Sequence, residues 1–267
     1  MVRAVPPALR IAAWVFVAAT ALFLLAPLVV VAGVSVSESQ FIAFPPDGLT
    51  LRWYEEVLAS DAYLAAAALS LQVAVLVTLA ATIVGGAAAI ALHRRRLPGS
   101  DALATAFLSP LVLPTIIYAI GMLMLWSALF GPVSLLTLAL SHTVIALPYV
   151  VRTTLAVLAE SDPFLEEAAR TMGAGRLQRL FHVVVPQCLP GLAAGAFFAF
   201  NISFDEAVLS LFLRKPGLTT LPVQIYGQLE FSPDPSVAAV STIMIGVTVL
   251  LIVVIDRLLG LQRFASP

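Results

Sequence analysis

Apolar residues in this chain fall into long blocks bounded by charges, and the charge-free intervals define the candidate elements. A bilayer core about 30 Å thick takes roughly 20 apolar residues as helix. Arg10 to Glu38 encloses a first block of that length, about 11–34. Asp61 to His93 encloses a second, 62–92, long enough to tilt or to project beyond the lipid. No charged residue occurs between Asp101 and Arg152, which leaves room for two helices back to back, 102–130 and 133–151, with Gly131-Pro132 as the turn between them. A fifth block covers 191–213 and a sixth, between Asp234 and Asp256, covers 235–255. The pattern predicts an all-α integral membrane bundle of six spans, with residues 1–267 forming a single transmembrane domain.

Composition agrees with that pattern. Apolar residues make up 61% of the chain and charged residues 11%, against about 25% charged in a soluble domain. A formal charge of −1 leaves no basic excess for a nucleic-acid partner. Cys188 is the only cysteine, so an internal disulfide framework and a cysteine metal cage are both excluded. Lys215, the only lysine, follows Arg214 and precedes Pro216, which rules out a GxxxxGK[ST] phosphate loop. Any ATP hydrolysis that the chain's work requires must occur in another subunit.

Charge position sets the expected orientation. Arg3 and Arg10 precede an apolar run too long for a signal peptide, which reads as an uncleaved first helix. Six spans place both termini on one side. That side collects Arg3, Arg10, Arg94, Arg95, Arg96, Arg152, Arg170, Arg176, Arg179, Arg257 and Arg263, while the other holds only Arg52, Arg214 and Lys215. The positive-inside rule makes the termini cytoplasmic. Two segments fall outside, 35–61 and 214–235. In the first, Pro45-Pro46-Asp47-Gly48 predicts a turn, and Leu51, Trp53 and Tyr54 a short interfacial helix with an aromatic anchor.

The cytoplasmic stretch 152–190 is too long to be a mere connection. Asp162-Pro163 reads as a helix start, with Asp as N-cap and Pro in the first turn. Glu166 and Glu167 follow where carboxylates suit the positive end of the helix dipole. Gly173 suits a left-handed exit from that helix. A second short helix, about Arg176–Val185, runs to Pro186. The product is a compact helix-turn-helix whose small residues permit close approach by another surface.

Glu167-Ala168-Ala169, three residues, Gly173, nine residues, Val183, one residue and Val185-Pro186 is similar to the EAA motif of ATP-binding-cassette importer permeases, EAA-x3-G-x9-I-x-L-P. Val183 and Val185 replace the usual Ile and Leu conservatively. The resemblance implies a type I importer permease bundle with cytoplasmic coupling helices. Glu167, Ala168, Ala169, Gly173, Val183 and Pro186 would then couple the chain to an ATPase, whose closure reaches the membrane helices through them. Its implied partners are a second homologous permease, two copies of a cytoplasmic ATPase holding ATP and Mg, an extracytoplasmic solute-binding protein and the bilayer of the bacterial inner membrane. No cofactor is expected in this chain itself.

Further segments resemble the second permease of spermidine/putrescine-type importers. They are His142 with Leu147-Pro148-Tyr149, Ser203-Phe204-Asp205-Glu206, Leu221-Pro222-Val223-Gln224-Ile225-Tyr226, and Ser232-Pro233. That resemblance implies alternating-access transport of a polyamine. Related permeases for opines, phosphonates or ferric iron share much of the framework and remain alternatives.

A carboxylate near a helix centre costs about 2.5–3.5 kcal/mol on insertion scales, so Asp205 and Glu206 in the fifth block require a reason. On a continuous helix Asn201 shares a face with Asp205, and Glu206 turns about 100° away, toward the face of Ser203 and Ser210. One acid lining a solute pathway, with Asn201 and Phe204 beside it, is one reading; a structural pair inside the bundle is the other. Rings at Phe197, Phe200 and Phe204 could face an ammonium group. His142 reads as a hydrogen-bonding partner across helices, because no second ligand stands at metal spacing. Pro110, Pro114, Pro148 and Gly85-Gly86 read as kink or close-packing positions.

Two other functional classes fit less well. A self-sufficient ion-coupled carrier would show inverted halves, and none relates spans one to three with four to six. An intramembrane enzyme using His142 with an acid lacks any GxSxG, HExxH or paired-aspartate motif.

Overall fold

The computed structural model describes residues 6–94, 99–162 and 164–259. Arg3, Arg95, Arg96, Pro163 and Arg263, named above, lie outside the described residues. The described chain is helical apart from turns and one isolated bridge between Lys215 and Leu218. Five helices are long and apolar enough to cross a membrane, and a bent pair supplies a sixth crossing if counted as one span.

The chain divides into two compact units, one drawn from Met1–Leu64 with Gly227–Val247 and the other from Ala65–Tyr226 with Thr248–Pro267. In the first, α1 (Pro7–Ser35) is continuous through Pro27. Its large side chains, such as Phe16 and Phe23, are exposed along most of its length, as suits a helix whose neighbours are lipid or another subunit. The segment after it folds back in a turn. Glu38 N–H donates to Asp47 O and Thr50 N–H to Val36 O, while Gly48 takes φ +75°. α2 (Arg52–Ala59) follows, and its Trp53 indole N–H donates to Ser37 O at 2.8 Å. Tyr54 and Ser35 hydroxyls meet at 2.7 Å. The expected turn and aromatic-anchored short helix are therefore both present. Tyr63, near the start of α3 (Asp61–His93), approaches Ser236 at the start of α12 (Ser236–Leu259), and Asp234 caps α12 by accepting from Ser236 N–H.

The second unit carries the main core. The third expected span, 102–130, is not one helix. α4 (Ser100–Leu108) passes into a 3-10 turn at Ser109–Leu111, the chain breaks, and α5 (Thr115–Phe130) leaves at 102° to the first piece. Pro114 sits as the residue before α5; it cannot donate to the preceding turn and disfavours helical geometry at Leu113. Gly131, at φ +75°, ends α5. Ser134 opens α6 (Leu135–Glu160) through a reciprocal cap with Thr137. This helix continues through Pro148 and well past the expected end at Val151, because a charged residue such as Arg152 carries no loss of helical propensity.

α7 (Phe164–Thr171) and α8 (Arg176–Arg179) follow. A π turn at Leu180–Val184 then leads into α9 (Val185–Phe204), α10 (Val208–Phe212) and α11 (Leu221–Phe231). The expected short helix ending at Pro186 instead runs on into α9. Pro186 lacks a donor and crowds the carbonyl one turn back, and the wider turn makes room for it. α6 packs mainly on α9. A Cβ on Gly195 would lie 2.7 Å from Val150 Cα, and one on Gly191 would lie 2.8 Å from Thr153 O. Backbone meets backbone along this seam. Gly85 faces Val150 at the same layer, and Val73, Val77, Leu138, Ala199, Leu209 and Leu213 fill the core around it.

Candidate functional site

Two places collect the residues singled out from sequence. The first is the loop between α6 and α9. The Asp162 carboxylate accepts from Phe164 N–H at 2.9 Å, which satisfies a free donor at the start of α7. Glu167 and Ala168 are exposed, whereas Ala169 is buried, so α7 sets one small residue inward and presents the other with Glu167 outward. Gly173, at φ +87°, donates to Arg170 O, and Ala174 donates to Ala169 O, each at 3.0 Å. These two bonds form a Schellman cap, a geometry that favours Gly at the left-handed position. Val183 is half-buried in the π turn, and Pro186 lies exposed in the first turn of α9.

Glu166 has a role that spacing did not reveal. Its carboxylate accepts from an Arg94 guanidinium nitrogen at 2.9 Å and lies 3.9 Å from Arg179 Nε. The first short helix of the loop is thereby tied to the end of α3. A cavity of about 190 Å³ opens beside the pair, lined by His93, Arg94, Ser161, Asp162, Glu166 and Gln187 together with the apolar Ile90, Leu158 and Val184. The Arg94-Arg95-Arg96 run was the available signal in sequence, although it did not identify the acid across from it.

The second place is the end of α9. Here the expected continuous helix through 213 is corrected. α9 stops at Phe204, Asp205 N–H closes it by donating to Asn201 O, and a new helix starts at Val208. Glu206 Oε1 accepts from Leu209 N–H at 2.9 Å, capping α10. The helical-wheel relation between the two acids no longer applies, because they occupy the joint between two helices. Glu206 is half-buried and engaged with its own chain. Asp205 is exposed, and its carboxylate makes no hydrogen bond or ion pair among the described residues. The Asn201 side-chain amide donates back to Phe197 O at 2.9 Å. Phe200 and Phe204 stack with centroids 5.4 Å apart, and Phe204 is buried.

His142 is fully buried on α6 and lies between Ser203 and Ser210, with each ring nitrogen 3.1 Å from one hydroxyl. Among the described residues no group of three His, Cys, Asp or Glu side chains is placed to hold a metal ion.

Comparison with known proteins adds relatives to this geometry. Over 231 residues the chain is 33% identical to the putrescine transport system permease protein PotI of Escherichia coli (strain K12), covering 84% of this chain and 82% of that protein. Over 238 residues it is 30% identical to the spermidine/putrescine transport system permease protein PotC of the same strain, covering 89% and 90%. A solved chain from a bacterial ABC transporter for import of the acidic polysaccharide alginate superposes with TM-score 0.69 at 18% identity, covering 93% of this chain and 95% of that one. The fold is thus that of an ABC importer permease, with several apolar helices crossing the inner membrane. The model of the binding-protein-dependent transport system inner membrane component family matches residues 81–263, and the chain belongs to that family.

Proposed function

We propose that this chain is a permease subunit of an ATP-driven importer and passes a polyamine, putrescine or spermidine, by alternating access. One observation carries the solute class: relatives named for putrescine and for spermidine/putrescine transport align with 84% and 89% of the chain. The joint after α9 supports it chemically. A diamine leaving water needs anionic partners, since an unpaired charge in low dielectric is expensive. Asp205 offers a carboxylate with no other commitment among the described residues, while Glu206 shapes the joint that presents it. Asn201 and Phe204 flank the same helix end.

In this reading both termini are cytoplasmic, and Glu167, Ala168, Ala169, Gly173, Val183 and Pro186 form the surface that engages an ATPase. A second permease completes the pathway, two ATPase copies supply ATP and Mg, and an extracytoplasmic receptor delivers the solute. The lack of a GxxxxGK[ST] phosphate loop in the sequence supports hydrolysis by a partner.

The test is receptor-stimulated ATPase and uptake by the reconstituted complex, with putrescine, spermidine, 2-aminoethylphosphonate and a neutral amino acid compared. Polyamines should stimulate selectively. Asp205→Asn should assemble normally and transport poorly. Stimulation by an anion alone, or normal polyamine uptake by an assembled Asp205→Asn/Glu206→Gln complex, would overturn the solute or the site, respectively.

A further inference from the structure

The joint between α9 and α10 has no glycine or proline to impose it: the sequence reads Phe204-Asp205-Glu206-Ala207-Val208. Glu206 caps α10 from within the segment, and a second hold comes from outside it. Seven residues of unbroken helix would set Ser203 and Ser210 about 10.5 Å apart along the axis. Here a single imidazole bridges them, with His142 Nδ1 3.1 Å from Ser203 Oγ and Nε2 3.1 Å from Ser210 Oγ. Both serines and the ring are buried, at 4%, 2% and 0% exposure. A neutral imidazole offers one N–H and one lone pair, and a serine hydroxyl can donate or accept. One serine therefore accepts from the ring and the other donates to it, and neither ring nitrogen is left unpaired.

The ring is itself held in place. Next to it on α6, Ser141 Oγ accepts from the Trp126 indole N–H at 2.7 Å and donates to Thr137 O, while Ser141 O accepts from the Tyr118 hydroxyl at 2.8 Å. Two adjacent residues of α6 thus anchor α5 on one side and both ends of the joint on the other.

We propose that His142 is a positioning residue for solute passage: it bridges Ser203 and Ser210 across the joint and so fixes how Asp205 and Glu206 are presented. The proposal rests on the reading that this joint serves the solute. His142 touches no solute in this scheme; it acts through the serines.

The test uses the complete complex with its partner subunits in lipid nanodiscs or proteoliposomes. His142→Ala removes both bonds. His142→Gln retains a donor and an acceptor on one side chain, and Ser203→Ala and Ser210→Ala each remove one bond, which keeps the question answerable should His142→Ala fail to assemble. Two quantities are read: hydrogen exchange of the amides at 205–211 by mass spectrometry, and Vmax and KM for putrescine uptake at matched amounts of complex. The expected result is faster exchange at the joint and a fall in Vmax of about ten-fold in His142→Ala. Each serine variant should show an intermediate effect, and His142→Gln should recover much of the loss. Unchanged exchange at 205–211 would overturn the proposal. So would faster exchange with normal uptake, and in that case Asp205→Asn/Glu206→Gln decides the underlying reading. A double variant that also transports normally removes the carboxylates from the pathway, whereas one that fails leaves them there and removes only His142.

Discussion

Gly173 provides a sharp perturbation because its demand is conformational and little else. A Cβ added there would meet no heavy atom within 4 Å, so bulk by itself costs nothing inside this chain. The φ of +87° is different. An L-residue held in the left-handed region costs about 1–2 kcal/mol, and a β-branched residue is a genuine outlier there. The alternative is to relax the backbone and lose the two cap bonds, from Gly173 to Arg170 and from Ala174 to Ala169, each contributing about 0.5–1.5 kcal/mol net. The two routes cost similar amounts, so Gly173→Val cannot escape through either. A shift of one to two kcal/mol changes a local population by a factor of about 5–30, which is the expected fall in transport if the capped form engages the ATPase. Asn tolerates left-handed geometry and should remain close to wild type, and Ala should lie between. The assay is uptake into proteoliposomes at matched complex content, with the receptor-independent ATPase rate as control. Equal uptake by the Asn and Val variants, whether both normal or both dead, would refute the argument that backbone conformation is what the loop requires of this residue.

Three further outcomes are expected. Gly195→Ala should lower the melting temperature of the complex, since its Cβ would collide with Val150 Cα, an overpacking cost of about 1–3 kcal/mol; Gly86→Ala should be milder, because it meets only the tip of Leu192, which can rotate. Arg94→Glu and Glu166→Arg should each reduce uptake per ATP hydrolysed and the double swap should recover part of it, with a coupling of about 0.2–1 kcal/mol because both side chains are about one-third exposed; a double variant no better than its worse parent would argue against the tie. Trp53→Phe keeps one aromatic ring but removes the pyrrole part of a buried indole and with it the donor to Ser37 O, and should increase proteolysis in the segment 36–51, while a Trp53→Phe chain with unchanged cleavage would show that the turn stands without this bond.

The charge-free intervals gave the helices because a bilayer penalises charge far more strongly than local propensity varies. They did not mark where a helix ends: α6 continues past Arg152 to Glu160, and the segment before Pro186 runs into α9. Pro110 and Pro114 were legible as kink positions, but one proline can bend a helix or end it according to its neighbours, and here Pro110 lies within the 3-10 turn while Pro114 stands just before α5, which leaves at 102°. The joint at Asp205 was not legible. It has no breaker residue, and besides the local Glu206 cap its contacts include His142, which stands 61 and 68 positions away from the serines it bridges. The Arg94–Glu166 pair, separated by 72 positions, was hidden for the same reason. Gly173 was legible because a helix cap is a local motif that sequence spacing encodes directly.

The glycine seam between α6 and α9 has a mechanical consequence for the loop between them. α6 ends at Glu160 and the helical run leading into α9 begins at Arg176, so the loop is rooted at both ends in the same pair of helices. At Gly191 and Gly195 those helices touch main chain to main chain, with no layer of side chains to act as a bearing. Sliding one along the other would drive larger residues of α9 into Val150 Cα, Thr153 O and Thr154 Cα of α6, main-chain atoms that do not change rotamer. In the proposed transport cycle a push on α7 would therefore turn α6 and α9 together like a crank with a single shaft, and any slip would fall on their outer faces, where side chains can change rotamer.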